Sequence, residues 1–190
     1  DAYRLKPPGT PNSKTLENQA WVGRPAAAVQ VSFADNIGFE NCQLTHLSST
    51  GLDYKKAVHS SYAKGNLFKD IGGTAILAGV YSDEATEIHL PYHPTDVREV
   101  CDKILISNNL VTNVANEDWS CVGIGAGYMS NATIEHNEIE DVAASHAGVL
   151  ESAAVGIPDK KSGFCSLLNK LPATVTLRLA SNTCITPSSY

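Results

Sequence analysis

Between Lys103 and Val149 a short pattern occurs twice with the same spacing, and no other feature of the chain restricts its fold so strongly. Ile104, Ile106, Asn109, Val111 and Val114 correspond to Ala132, Ile134, Asn137, Ile139 and Val142, with the two asparagines 28 residues apart. Within each copy the apolar residues step by two and then by five. That spacing fits very short strands broken by a tight turn and does not fit a helical stripe. Three further copies are present: Phe39, Leu44 and Leu47 around Cys42, Phe68 and Ile71 after Asn66, and Leu177, Leu179 and Cys184 around Asn182. The centres are separated by 24, 43, 28 and 45 residues. Two intervals are close to one unit, and two carry an added loop of roughly 20 residues.

A unit of two or three short strands per ~25 residues, with Asn at a turn that needs a left-handed residue, is what a parallel β-helix requires. The chain is therefore expected to be all-β, a right-handed parallel β-helix with two loop insertions. Asn109 and Asn137 are expected to stack into a ladder of amide hydrogen bonds. The divisions expected are an entering segment at 1–28, coils over 29–152 with an insertion at 80–102, and a divergent tail at 153–190 with a further coil at 174–186. Val29, Val31 and Phe33 alternate and are expected to open the first coil.

At 190 residues, with 43% hydrophobic and 18% charged residues, the chain has the composition of one folded domain and not of a disordered segment. A net charge of −6 argues against a nucleic-acid backbone or an anionic membrane as partner. No apolar run reaches the length of a membrane span. The opening DAYRLKPPGTPNSK is not a signal segment, so either one was removed or these residues belong to the middle of a longer protein. Cys42, Cys101, Cys121, Cys165 and Cys184 are odd in number and lack a CxxC pair. They are expected to be small core residues for the most part, and neither disulfides nor zinc ligands.

The insertions are expected to leave the coils after Gly-containing strands, at AILAGV and at AGVLES, and so to emerge along one edge of one sheet. The loop Asn116, Glu117, Asp118, Trp119 enters the same sheet from the other side. A groove walled by loops follows, and such loops on a rigid scaffold are where binding and catalysis concentrate.

The segments GNLFKDIGGTAILAG, EIHLPY, NLVTNVANEDWSCVGIGAGY and IEHNEIEDV resemble, in the same order, blocks of pectin-lyase-like parallel β-helix proteins of bacterial polysaccharide degradation. The likeness is greatest to glycoside hydrolase family 141 and spans roughly Trp21 to Gly148. It implies a secreted or periplasmic protein acting on plant cell-wall glycans, a family in which fucosidase and xylanase activities occur. After Val149 the sequence departs from the family, whose catalytic carboxylates lie in later coils. The expectation is a truncated or altered representative, and no catalytic pair is carried over.

Glycoside hydrolysis needs two carboxyl groups roughly 5 Å apart for retention, or about 6.5 to 9.5 Å apart for inversion. Coils stacked ~4.8 Å apart bring carboxylates one or two coils apart within either range. Asp53, Glu117, Asp118 and Glu151 are candidates. Asp118 and Glu117 are favoured as the catalytic residues, because Trp119 stands beside Asp118 as a stacking surface for a sugar ring. The plainer reading is that both satisfy backbone donors in a tight loop. Trp119, Asn116, Asp53, Glu87 and His89 are expected to bind substrate, a glycan or oligosaccharide. His89 and His93 have a metal-ligand spacing for a helix, but Pro91 and Pro94 argue against a helix there, so no metal or other cofactor is expected. His136 reads as a turn residue. The sequence has no phosphate-binding Gly loop after a strand and no GxSxG. Two other functions stay open: a non-catalytic glycan-binding or structural module, and a polysaccharide lyase.

Overall fold

The structure is a computed structural model and describes residues 26–80, 94–117, 121–142, 177–180 and 183–185. The chain enters through β1 (Val29–Asp35), β2 (Gly38–Glu40) and β3 (Gln43–Leu47), one in each of three sheets, A, B and C. It repeats the circuit with β4 (Leu52–His59), β5 (Tyr62–Lys64) and β6 (Leu67–Ile71). On the next pass sheet A receives two pieces, β7 (Ile76–Ala78) and β8 (Cys101–Asp102), before β9 (Leu105–Ser107) and β10 (Leu110–Val114). Sheet A again receives two, β11 (Ile124–Ala126) and β12 (Met129–Ser130), followed by β13 (Ala132–Glu135) and β14 (Glu138–Val142). Finally β15 (Leu177–Ala180) joins sheet B and β16 (Thr183–Ile185) joins sheet C. The protein is thus all-β, and the described strands pair in parallel around one core.

Partners on neighbouring strands of sheet C are Gln43 with Leu67, Leu67 with Leu110, Leu110 with Glu138, and Glu138 with Thr183. These pairs are separated by the same four intervals as the sequence copies. Inward positions stack by chemistry: Phe39, Ala63, Ile106 and Ile134 share one row of sheet B, and Leu44, Phe68, Val111 and Ile139 share one row of sheet C. Ile106, Val111, Phe68, Leu52 and Tyr54 are fully buried. Tyr54 donates its hydroxyl to the Tyr62 carbonyl at 2.5 Å, as a buried phenol requires, and burial pushes its pKa well above the ordinary range.

The expected ladder is present and longer than two residues. Asn137 Oδ1 accepts from Asn109 Nδ2 at 2.9 Å, and Asn109 Oδ1 accepts from Asn66 Nδ2 at 3.0 Å. Asn66 Oδ1 in turn accepts the Cys42 backbone N–H at 2.9 Å. One expectation is corrected here. The left-handed residue is not the ladder asparagine but the one before it, in the column Asn41, Gly65, Asn108 and His136 with φ of 54°, 66°, 54° and 55°. The ladder residue turns its amide inward, so the backbone reverses one position earlier, where exposed Asn, Gly and His tolerate positive φ. Cys42 is exposed, whereas Cys101 and Cys121 are buried. At the end of the ladder Cys42 offers its backbone N–H and needs no inward side chain.

A second correction concerns Phe33. The register of β1 on β4 shifts between Val31 and Ser32, and Phe33 follows in the left-handed region at φ 53°. The alternation therefore breaks after Val31, and Phe33 points outward, 69% exposed.

Candidate functional site

The insertion after AILAGV interrupts a strand of sheet A, whereas the sequence predicts departure from an edge. β7 pairs with the start of β4, Leu52 against Ile76, and β8 pairs with its end, His59 against Asp102. The chain therefore leaves sheet A and returns to the same sheet a few positions further along. The returning segment makes a 3-10 turn, Val97–Glu99, against β4. Asp96 caps this turn by accepting from the Arg98 backbone N–H at 2.9 Å. The Arg98 guanidinium also binds the Asp96 carboxylate, which is held down to about 2 by those bonds.

The turn is fastened to sheet A by two residues of β4. Lys56 Nζ donates to Glu99 Oε1 at 2.6 Å, and His59 Nε2 lies 3.2 Å from the Val100 carbonyl. The other His59 nitrogen, Nδ1, is 3.1 Å from Asp35 Oδ1 on β1. Both ring nitrogens face acceptors, and a neutral imidazole donates to one of them at a time. One strand further along the same row, Asp102 Oδ1 accepts from Ser130 Oγ at 2.6 Å and from Asn131 Nδ2 at 2.7 Å. Burial works to raise the Asp102 carboxyl, but these two donors, with Lys103 and His59 nearby, outweigh it and hold it below the ordinary range. Asp35, His59, Asp102 and Ser130 thus form one outward polar row across four strands. Lys56 lies beside it, its ammonium 5.3 Å from the centre of the Phe33 ring.

At the opposite end of sheet A the chain arrives from β10. Ala115, Asn116 and Glu117 donate their backbone N–H groups to Gly73, Ile71 and Gly72 carbonyls at 3.0, 3.3 and 2.9 Å. Asn116 Nδ2 also donates to the Asn113 carbonyl at 3.0 Å. Both Asn116 and Glu117 are exposed on a backbone fixed to the strand connection beneath. Asp118, Trp119, Glu87, His89 and Glu151 lie outside the described residues. Asp53 stands between inward Leu52 and Tyr54 and so belongs to the outer face of sheet A, where it is fully buried. Its register partner Leu77 is buried too, so this part of the sheet is covered on both faces, as continuous apolar strands such as AILAGV imply.

Sequence reasoning passed over Asp35, Lys56, His59, Asp102 and Ser130. A signal was there: Asp35, His59, Asp102 and Ser130 are spaced by the intervals of the asparagine ladder, 24, 43 and 28.

No protein-family model matches the chain, and no curated protein matches it. The chain is similar to a solved structure named "Glycoside hydrolase", with 54% sequence identity over 63% of this chain and a TM-score of 0.59; the match takes in 20% of that structure's chain.

Proposed function

We propose that the chain is a right-handed parallel β-helix of a carbohydrate-active protein, a pectin-lyase-like glycoside hydrolase of the family 141 type that acts outside the cytoplasm. The observation that carries this reading is the 54% identity to a structure named glycoside hydrolase. The fold reading is supported by the circuit through sheets A, B and C and by the strong general preference of parallel crossover connections for the right hand. Glycan would lie along the outer face of sheet A, between the anchored 115–117 loop and the 94–100 segment, both of which present polar groups from a rigid backbone. In this reading Asp118 and Glu117 supply the carboxyl groups, and Trp119, Asn116, Glu87 and His89 hold sugar. Asp53, expected from the sequence to bind substrate, is fully buried on that face and belongs instead to the covered part of the groove wall.

A second reading, a module that binds glycan without cleaving it, is favoured by the chemistry of the row itself. His59 lies between two acceptors and Asp102 accepts two donors, so the polar groups of the row are engaged with their neighbours. A lyase is less well supported, since Lys56, the base such a reaction would need at this face, is tied to Glu99. Incubation with neutral plant-wall glycans separates the three. Hydrolysis releases reducing ends without new ultraviolet absorbance, and this is the expected outcome. An absorbing unsaturated product identifies a lyase, and retardation in glycan-containing gels without turnover identifies the module. Absence of both turnover and retardation overturns the carbohydrate reading.

A further inference from the structure

Three large apolar side chains are exposed among the described residues: Phe33, Tyr62 and Val97. Tyr62 lies on sheet B against Gly38, at a spot where any added Cβ would strike its ring. The other two flank the Lys56–Glu99 pair on sheet A, with Phe33 on β1 and Val97 in the 3-10 turn, 69% and 77% exposed. Phe33 also sits in the left-handed region, at φ 53°. An aromatic residue is poorly suited to that conformation, which glycine adopts without penalty. Ala57 has the same conformation in β4, at φ 49°, so the bend belongs to the fold while the aromatic ring does not. A ring that is strained, exposed and set beside polar groups is the pattern of a ligand platform.

We propose that Phe33 is the stacking platform of a sugar subsite that takes the apolar C–H face of a neutral pyranose ring, with Asp35 and Glu99 as hydroxyl partners at its edge. Lys56 holds the two sides together: its ammonium lies over the Phe33 ring and donates to Glu99. Asp35 is widely exposed and keeps acceptor capacity beyond its contact with His59. The subsite selects against acidic sugars, because Lys56 and Arg98 are each paired to a carboxylate while Asp35 adds negative charge at the rim. This assignment rests on the carbohydrate reading above and adds to it the place and the sugar class.

The test is calorimetric titration of the whole chain with xylohexaose, cellohexaose and hexagalacturonate, for wild type and for Phe33→Gly, Phe33→Ala and Phe33→Trp. Expected is binding of a neutral hexaose by wild type, a loss of about tenfold in Phe33→Gly and Phe33→Ala, and affinity within about twofold in Phe33→Trp. Phe33→Gly should melt no lower than wild type, since glycine relieves the left-handed backbone. Undiminished affinity in Phe33→Gly overturns the platform and leaves the carbohydrate reading standing. Melting of Phe33→Gly well below wild type assigns the ring a structural role and overturns it as well. Preference for hexagalacturonate overturns the sugar class. Failure of wild type to bind any of the three, together with the absence of turnover and retardation described above, removes the carbohydrate reading and the platform together.

Discussion

Replacing Asn109 by alanine is expected to lower the free energy of unfolding by roughly 3 to 5 kcal/mol, from the loss of several buried hydrogen bonds at once. Asn109 Oδ1 accepts both the backbone N–H and the Nδ2 of Asn66 at 3.0 Å. Its Nδ2 donates to the Ala63 carbonyl at 3.0 Å and to Asn137 Oδ1 at 2.9 Å. Asn66, Asn109 and Asn137 are all at most 2% exposed, so water does not replace the lost partner. The Asn66 N–H and the Ala63 carbonyl lose the partners shown here, and each orphan costs about 1 to 3 kcal/mol. Cys42 makes the internal control. It stands at the end of the same column, contributes a backbone N–H, and keeps its side chain exposed. Cys42→Ala should therefore change stability by no more than about 0.5 kcal/mol. Urea unfolding of the two variants reads the contrast directly, and a loss below about 1 kcal/mol for Asn109→Ala would contradict the ladder as a stabilising column.

Asp118→Asn is expected to lower kcat/KM on any glycan the protein cleaves by about 10² to 10⁴-fold, the usual contribution of a positioned acid or base. The substitution keeps shape and hydrogen-bonding reach but removes the ionisable group. The support lies in how the preceding residues are held. Three successive backbone N–H groups, from Ala115, Asn116 and Glu117, bond to the connection at residues 71–73, which fixes the backbone as far as Glu117. Glu117 itself is exposed there, so Glu117→Gln tests the second carboxyl in the same assay. The competing explanation, that these carboxylates satisfy loop backbone, predicts a different result: a lower unfolding midpoint with kcat unchanged. Measuring both quantities on each variant separates the two, and unchanged kcat with unchanged stability removes Asp118 from the site altogether.

The strand pairing was legible in the sequence because stacking forces like onto like. Each inward row repeats an apolar residue at the spacing of one circuit, so Ile106 over Ile134 and Val111 over Ile139 announce their own register. The asparagine column was legible for the same reason, since its hydrogen bonds require identical side chains in successive layers. The outer face of sheet A was not, because outward positions carry no such demand. Asp35, His59, Asp102 and Ser130 are four residues of three chemical types held by one another and by a carbonyl. Their shared spacing becomes meaningful only when β4, β8 and β12 are known to lie side by side. Phe33 was misread because a one-residue register shift reverses which face a strand residue occupies, and no local composition marks the shift. The position of the left-handed residue was missed by one place for a related reason: Asn occurs at both positions in the pair Asn108 and Asn109, and only the hydrogen bonds tell them apart.

Amide hydrogen exchange of the whole chain, with and without saturating neutral hexaose, tests most directly whether the outer face of sheet A is where glycan binds. The account predicts slower exchange on binding in the segments carrying Phe33, Lys56 to His59 and Val97 to Val100, with sheet B residues such as Lys64 and Glu135 unchanged. Protection confined to sheet B or sheet C in a protein that does bind the sugar would contradict it.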